Sequence, residues 1–246
     1  MSKDLRFSKS PLTEAVIDIR VEPRDGLELE TLADMQRGHE EKYPTRQNRM
    51  YLQGEFSTDP ESPPAVGNRS QIGYNFVSAD GHQIIQAKLD GFTFNRLTPY
   101  ETWAKFSIEA RRWWDIYREV AQPKSVTRLA VRYINRLDLP LPLEDLTNYL
   151  KTVPEISSDL PQGLSAYFMQ LQIPYEDIKA TLILNQTLVQ PPNPNVASIV
   201  LDIDLFRVID VPLNEREMWD YFEQLRQAKN NIFLACITDK TKELIA

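Results

Sequence analysis

Arg128, Arg132 and Arg136 recur at a spacing of four in the segment VTRLAVRYINRLDL. In a strand, residues two apart share a face, so the three guanidiniums point the same way, together with Asp138. Turned toward a core, such a row requires carboxylates or a bound anion, because a lone buried charge is very costly. Asp202 and Asp204, two apart in another apolar run, are the candidate carboxylates. Turned outward, with Val131 and Tyr133 in the core instead, the row offers planar donors to an acidic partner or a phosphate. A second concentration sets Trp113 and Trp114 among Arg111, Arg112 and Arg118. Two adjacent tryptophans cannot fill one helical stripe, so one is expected at the edge or exposed. Tryptophan beside arginine is the composition of an interface hot spot or a base-stacking platform. A third candidate is Arg96 with Tyr100, at the start of a helix whose first N–H groups could take an anion. The residues expected to bind a ligand or partner are therefore Arg96, Tyr100, Arg111, Arg112, Trp113, Trp114, Arg128, Arg132 and Arg136.

Sets that would do covalent chemistry are thin. His39 and His82 are the only histidines; neither stands near the cysteine in sequence, and each falls in an expected surface element, His39 with Glu40 and Glu41 directly after it. That argues against a zinc site or a histidine-based triad. Cys236 falls on the apolar side of the last helix and reads as a core thiol. Eight glycines include no G-x-G-x-x-G or Walker loop. Asp202 and Asp204 could hold magnesium, but an arginine pair or a solvated strand face competes for them. No catalytic residue, metal or cofactor is expected.

The net charge of −7 over 246 residues hides an asymmetry. From Arg96 to Arg136 nine Lys and Arg stand against four acids, so that stretch is +5 and the remainder −12. A balance of 42% hydrophobic and 26% charged residues excludes a disordered chain. One cysteine cannot make an internal disulfide, no apolar run approaches a membrane span, and MSKDLRFSKSPL lacks a signal-peptide core. A cytoplasmic protein away from membranes is expected.

These residues must be positioned by elements. Residues 15–22 read as a strand, Leu27 to Tyr43 as an amphipathic helix, and 49–57 as a strand. A proline-rich loop over 58–70 precedes strands 71–77 and 83–96, joined through Asp80-Gly81. A helix follows over 98–122, with Thr98 as N-cap, Glu101 closing a capping box, and Trp103 in its apolar stripe. Strand 126–139, a short helix at 143–150, strands 164–173, 178–189 and 197–209, and a helix from Asn214 to at least Ile237, with Asn214 as N-cap and Glu217 as the N3 acid, complete the chain. The order is β-α-β-β-β-α, twice. Ala15-Val16 and Ile19 match Ala130-Val131 and Ile134 at an offset of 115; Trp103, Phe106 and Tyr117 match Trp219, Phe222 and Phe233 at 116. The expected fold is α+β: a duplicated unit with halves 1–124 and 125–246 packed as one body. Its largely antiparallel sheets would each be covered by a long helix, in the manner of a helix-grip or TATA-binding-protein-like saddle.

Three segments carry a family resemblance: PLTEAV at 11–16, FTFNRLTPYETW at 92–103 and RLAVRYINRLDLP at 128–140. Together they resemble a sporadically distributed bacterial family of uncharacterised proteins, over nearly the whole chain, with Leu137 where isoleucine is common. The resemblance implies no activity, cofactor or catalytic residue. Its patchy distribution suggests a defence or toxin–antitoxin-like locus. The functional expectation is a non-enzymatic binding or regulatory protein with a protein partner. An anionic small molecule or nucleotide held between sheet and helix is the alternative, and nucleic acid ranks below both.

Overall fold

The computed structural model describes residues 7–54 and 67–246. The β-branched run AVIDIRVE forms β1 (Leu12–Glu22) from Ala15 to its end, and the long alternating run forms β6 (Ser125–Pro140). These two strands pair antiparallel, with Ile17 opposite Val131. β5 (Gly91–Leu97), β4 (Gln83–Lys88), β3 (Gly67–Val77) and β2 (Thr45–Gly54) extend the sheet beyond β1. β9 (Val196–Val208), β8 (Ala180–Val189) and β7 (Phe168–Tyr175) extend it beyond β6.

The result is one nine-stranded antiparallel sheet in the order β2-β3-β4-β5-β1-β6-β9-β8-β7. This corrects the expectation of separate sheets, each under its own long helix. The β1–β6 pairing continues through the middle of the molecule and leaves no seam there. One row of side chains crosses seven strands (Phe76, Ile85, Phe94, Ile17, Val131, Leu205 and Leu182), and every member is buried. Burying that row is the main apolar driving force of the fold.

The helices cover the face that carries this row. They are α1 (Trp103–Ala121), α2 (Glu215–Cys236), α3 (Asp239–Ile245) and a 3₁₀ helix at Leu29–Gln36. The 3₁₀ turn replaces the amphipathic α-helix expected from Leu27 to Tyr43. Leu32 and Met35 are buried as the pattern requires, but Gly38 at φ +77° turns the chain before a longer helix can form. The short helix expected at 143–150 is likewise a single 3₁₀ turn, Leu146–Asn148.

α1 starts later than its sequence suggests. Thr102, not Thr98, is the N-cap, accepting from Lys105 N–H at 3.2 Å. Thr98 instead donates to the Leu12 carbonyl at 2.6 Å. Both tryptophans at the middle of α1 are buried, against the expectation that one would be exposed. The helix has two covered sides. Trp113 packs on Tyr43 and His39, with ring centroids 4.6 and 5.0 Å away, while Trp114 lies against Phe92 and Tyr117.

Two further differences are local. The strand expected over 83–96 is the hairpin β4–β5, turning at Leu89-Asp90. Gly91 begins β5 because a Cβ there would stand 2.7 Å from the Ile19 carbonyl oxygen. The proline-rich loop lies largely outside the described residues. α2 carries its capping box at Asn214 and Glu217, as read from sequence, whereas α3 has no counterpart in that reading. Among the described residues no helix is long and apolar enough to cross a membrane.

Candidate functional site

Side-chain alternation along β6 assigns the arginines. Leu129, Val131, Tyr133 and Leu137 face the helices and are buried, so Arg128, Arg132 and Arg136 lie on the opposite face. The 115-residue offset is therefore off by one on this strand. It lays buried Ile17 over exposed Arg132, whereas 116 lays it over buried Tyr133.

Each of these arginines meets a carboxylate on its own face. Arg128 donates to Asp18 at 2.8 Å and to Asp204 at 3.3 Å. Arg132 grips Asp202 through two bonds of 2.8 and 2.7 Å, and Asn185 donates to the same carboxylate at 3.0 Å. Arg136 donates to Asp138 at 2.9 Å and to the Ser198 hydroxyl at 3.0 Å. The second oxygen of Asp204 is buried without a hydrogen bond, and burial raises its carboxyl above the usual range. The face is a lattice of matched charges, which weakens its appeal to an acidic partner. Among the described residues no cluster of His, Cys, Asp and Glu could hold a metal ion.

Asp202 anchors this lattice. Its side chain is 7% exposed, against 45% for Arg132. Removing the carboxylate leaves an arginine that water can still reach, so the full penalty of an orphaned buried charge does not apply. Asp202→Ala is expected to lower stability by about 1.5–3 kcal/mol, the range for charge-assisted hydrogen bonds. Urea unfolding measures it, and a loss too small to resolve would show that the pairing is incidental.

The remaining sequence candidates disperse. Arg111 reaches Glu215 at 2.5 Å and lies over the Trp219 ring, tying α1 to α2. Such exposed pairs contribute little stability. Arg112 is exposed, while Trp113 and Trp114 are interior. Arg96 donates to the Pro99 carbonyl at 3.1 Å and so shapes the approach to α1. Cys236 is buried, and burial pushes its thiol up to about 11, which makes it a poor nucleophile.

Of the predicted set, Arg128 and Arg132 line a charged groove on the open face of the sheet, with Glu14, Asp18 and Asp204, and Tyr100 lines a cleft of mixed aromatic and polar character. The cleft lies on the helix side of the sheet, where β6, the middle of α2, the approach to α1 and the segment before β1 converge, and its volume is about 210 Å³. β6 contributes Tyr133 and Asn135, the polar members of an otherwise apolar row. α2 contributes Arg226, Lys229, Asn230 and Phe233, whose spacing of three, four and seven places them on one helical side. Phe7 and Trp103 complete an aromatic wall with Phe233, and the Phe7 and Phe233 rings meet edge to face at 6.0 Å.

The polar end is tightly arranged. The Tyr100 and Tyr133 hydroxyls lie 3.1 Å apart, with rings nearly perpendicular at 88°. The Lys229 amine sits 3.4 Å from the centroid of the Tyr133 ring and donates to Asn230 Oδ1 at 2.6 Å. Asn135 donates to the Leu201 carbonyl at 3.2 Å, which fixes its amide. Arg226 is held by Glu223, with its guanidinium over the Trp103 ring. Among the described residues Lys229 has no carboxylate partner. Burial, assisted by the charge of Arg226, drives its amine down to about 7, although the Tyr133 ring favours the ammonium. Near neutral pH the cleft therefore presents a mixture of ammonium and free amine.

Reasoning from sequence missed Lys229, Arg226, Tyr133, Asn135 and Asn230 as site residues. A signal was available in α2. Leu225, Ala228, Ile232 and Phe233 define a buried stripe, and Arg226 and Lys229 fall within it where apolar residues are expected. A scan against family models and a comparison with curated proteins both give no match.

Proposed function

We propose that this chain is a small-molecule-binding protein whose ligand enters the cleft between β6, α2 and the start of α1. The ligand is a compact planar molecule with a carboxylate or carbonyl head group. Its ring lies along Phe7, Trp103 and Phe233, and its head meets Lys229, Asn230 and the tyrosine hydroxyls. The observation that carries this reading is Lys229, a lysine set into an aromatic cleft with no carboxylate beside it among the described residues. A half-buried cation without a fixed counter-charge is an energetic liability, and a liability kept at a cavity is the mark of a site. The size of the cleft decides between ligand classes. At about 210 Å³ it lies below the roughly 300–1,000 Å³ of pockets for drug-sized ligands, which favours a one-ring compound over a whole nucleotide.

A macromolecular partner, the first expectation from sequence, has less behind it. Its tryptophans are interior, and the arginines of β6 are matched in place. A regulatory protein that senses a metabolite accommodates the cleft.

The test is a thermal-shift series with benzoate, nicotinate and mononucleotides. At one hundred times its dissociation constant, a bound compound adds about 2.7 kcal/mol. Stabilisation by the ring carboxylates is expected, together with its loss in Asn230→Phe, which sets a ring inside the cleft. Stabilisation that survives this variant, or none with any compound, would refute the reading.

A further inference from the structure

We infer that Lys229 captures an aldehyde or ketone in the cleft as a reversible imine. The inference rests on the small-molecule reading above and narrows the ligand to a carbonyl compound. Three observations support it. The amine lies at the wall of an aromatic cleft that a one-ring molecule can enter. It is not tied to a carboxylate among the described residues, so no fixed counter-charge there holds it as the ammonium. Its hydrogen bond to Asn230 Oδ1, at 2.6 Å, is to a side chain that also lines the cleft and can give way.

The chemistry balances without an oxidant or a cofactor. The neutral amine attacks the carbonyl carbon, and the carbonyl π electrons move to oxygen, which takes a proton. The nitrogen releases its first proton to give the neutral carbinolamine; its C–O bond then breaks, the hydroxyl leaves as water with the nitrogen's second proton, and a C=N bond remains. A free amine is required for the first step, and desolvation of a lysine is one established way to supply it. The charged and titratable groups around Lys229 are Tyr133 from β6, Tyr100 and Glu101 from the approach to α1, and Arg226 with Glu223 on its own helix. Glu101 is engaged by Lys105 and Glu223 by Arg226, so neither acid is positioned to restore the ammonium.

The experiment uses 4-formylbenzoate as the probe and cyanoborohydride as the trap, followed by peptide mapping. One dominant adduct on Lys229 is expected at pH 7.5, formed at least about tenfold faster than on surface lysines. The rate should rise through pH 7 and level off, where ordinary lysines continue to gain up to pH 10. Lys229→Arg should abolish this adduct, and circular dichroism confirms that the variant is folded. The pH profile of the unaltered protein tests the inference even if it is not. Labelling spread over surface lysines would overturn the imine. If benzoate still binds in that case, the cleft reading stands and only the imine falls; if neither compound binds, both fall.

Discussion

Replacing Lys229 by methionine is expected to stabilise the protein, on the order of 2–4 kcal/mol at pH 6, a large change against typical single substitutions. The unfolded chain holds this amine at its ordinary value of 10.5, while the folded protein holds it near 7. Between those values the unfolded chain binds a proton that the folded chain does not, so this group makes folding more favourable as pH rises. Below pH 7 both states are protonated and its cost is fully present; above 10.5 the cost is gone. Methionine removes the charge and keeps the length, so the gain from Lys229→Met is largest below pH 7 and fades toward pH 10. The informative quantity is the difference between variant and wild type across pH 6–10 in urea unfolding, because other titrating groups cancel in it. A destabilised variant, or a difference that does not change with pH, would show that the amine is neither desolvated nor uncompensated.

Trp113→Ala and Trp114→Ala are each expected to cost about 3–5 kcal/mol, the range for removing a fully buried aromatic side chain. Trp113 is 1% exposed and wedges between α1 and the Tyr43 region; Trp114 is 2% exposed and packs on Phe92. Trp103, which the sequence stripe marks as the anchor of the helix, is only partly buried and opens onto the cleft. Trp103→Ala should therefore be the mildest of the three. If denaturant midpoints placed it as the most severe, the packing of α1 described above would be wrong.

These two predictions locate what the sequence made legible. Strand alternation along β1 and β6, the hairpin at Asp80-Gly81 and the capping box of α2 follow from local rules, and they were readable. The single sheet was not, because it depends on β1 pairing with β6, more than one hundred residues away. Strand patterns report which residues are buried but not which strand lies alongside. The split of β4 from β5 was within reach, since Asp90-Gly91 repeats the signal used at Asp80-Gly81. The burial of both tryptophans was not, because the second wall comes from the segment around His39 and Tyr43, whose place against α1 is tertiary.

The candidate site divides along the same line. Arginine and tryptophan attract attention by composition, yet in the fold most of them are satisfied by neighbours. Arg132 has Asp202, Arg128 has Asp18, and Trp113 has Tyr43. Lys229 is inconspicuous by composition, in a segment that reads as an ordinary amphipathic helix. It becomes unusual only once β6 places Tyr133 beneath it and the approach to α1 places Tyr100 alongside.

The most direct measurement of the central claim is an indole N–H spectrum recorded during a benzoate titration. The chain has four tryptophans, and of these only Trp103 lines the cleft. Its resonance is expected to move saturably with benzoate while those of Trp113 and Trp114 stay in place. A Trp103 resonance that does not move, or four resonances that drift together without saturation, would contradict a ligand site at this cleft.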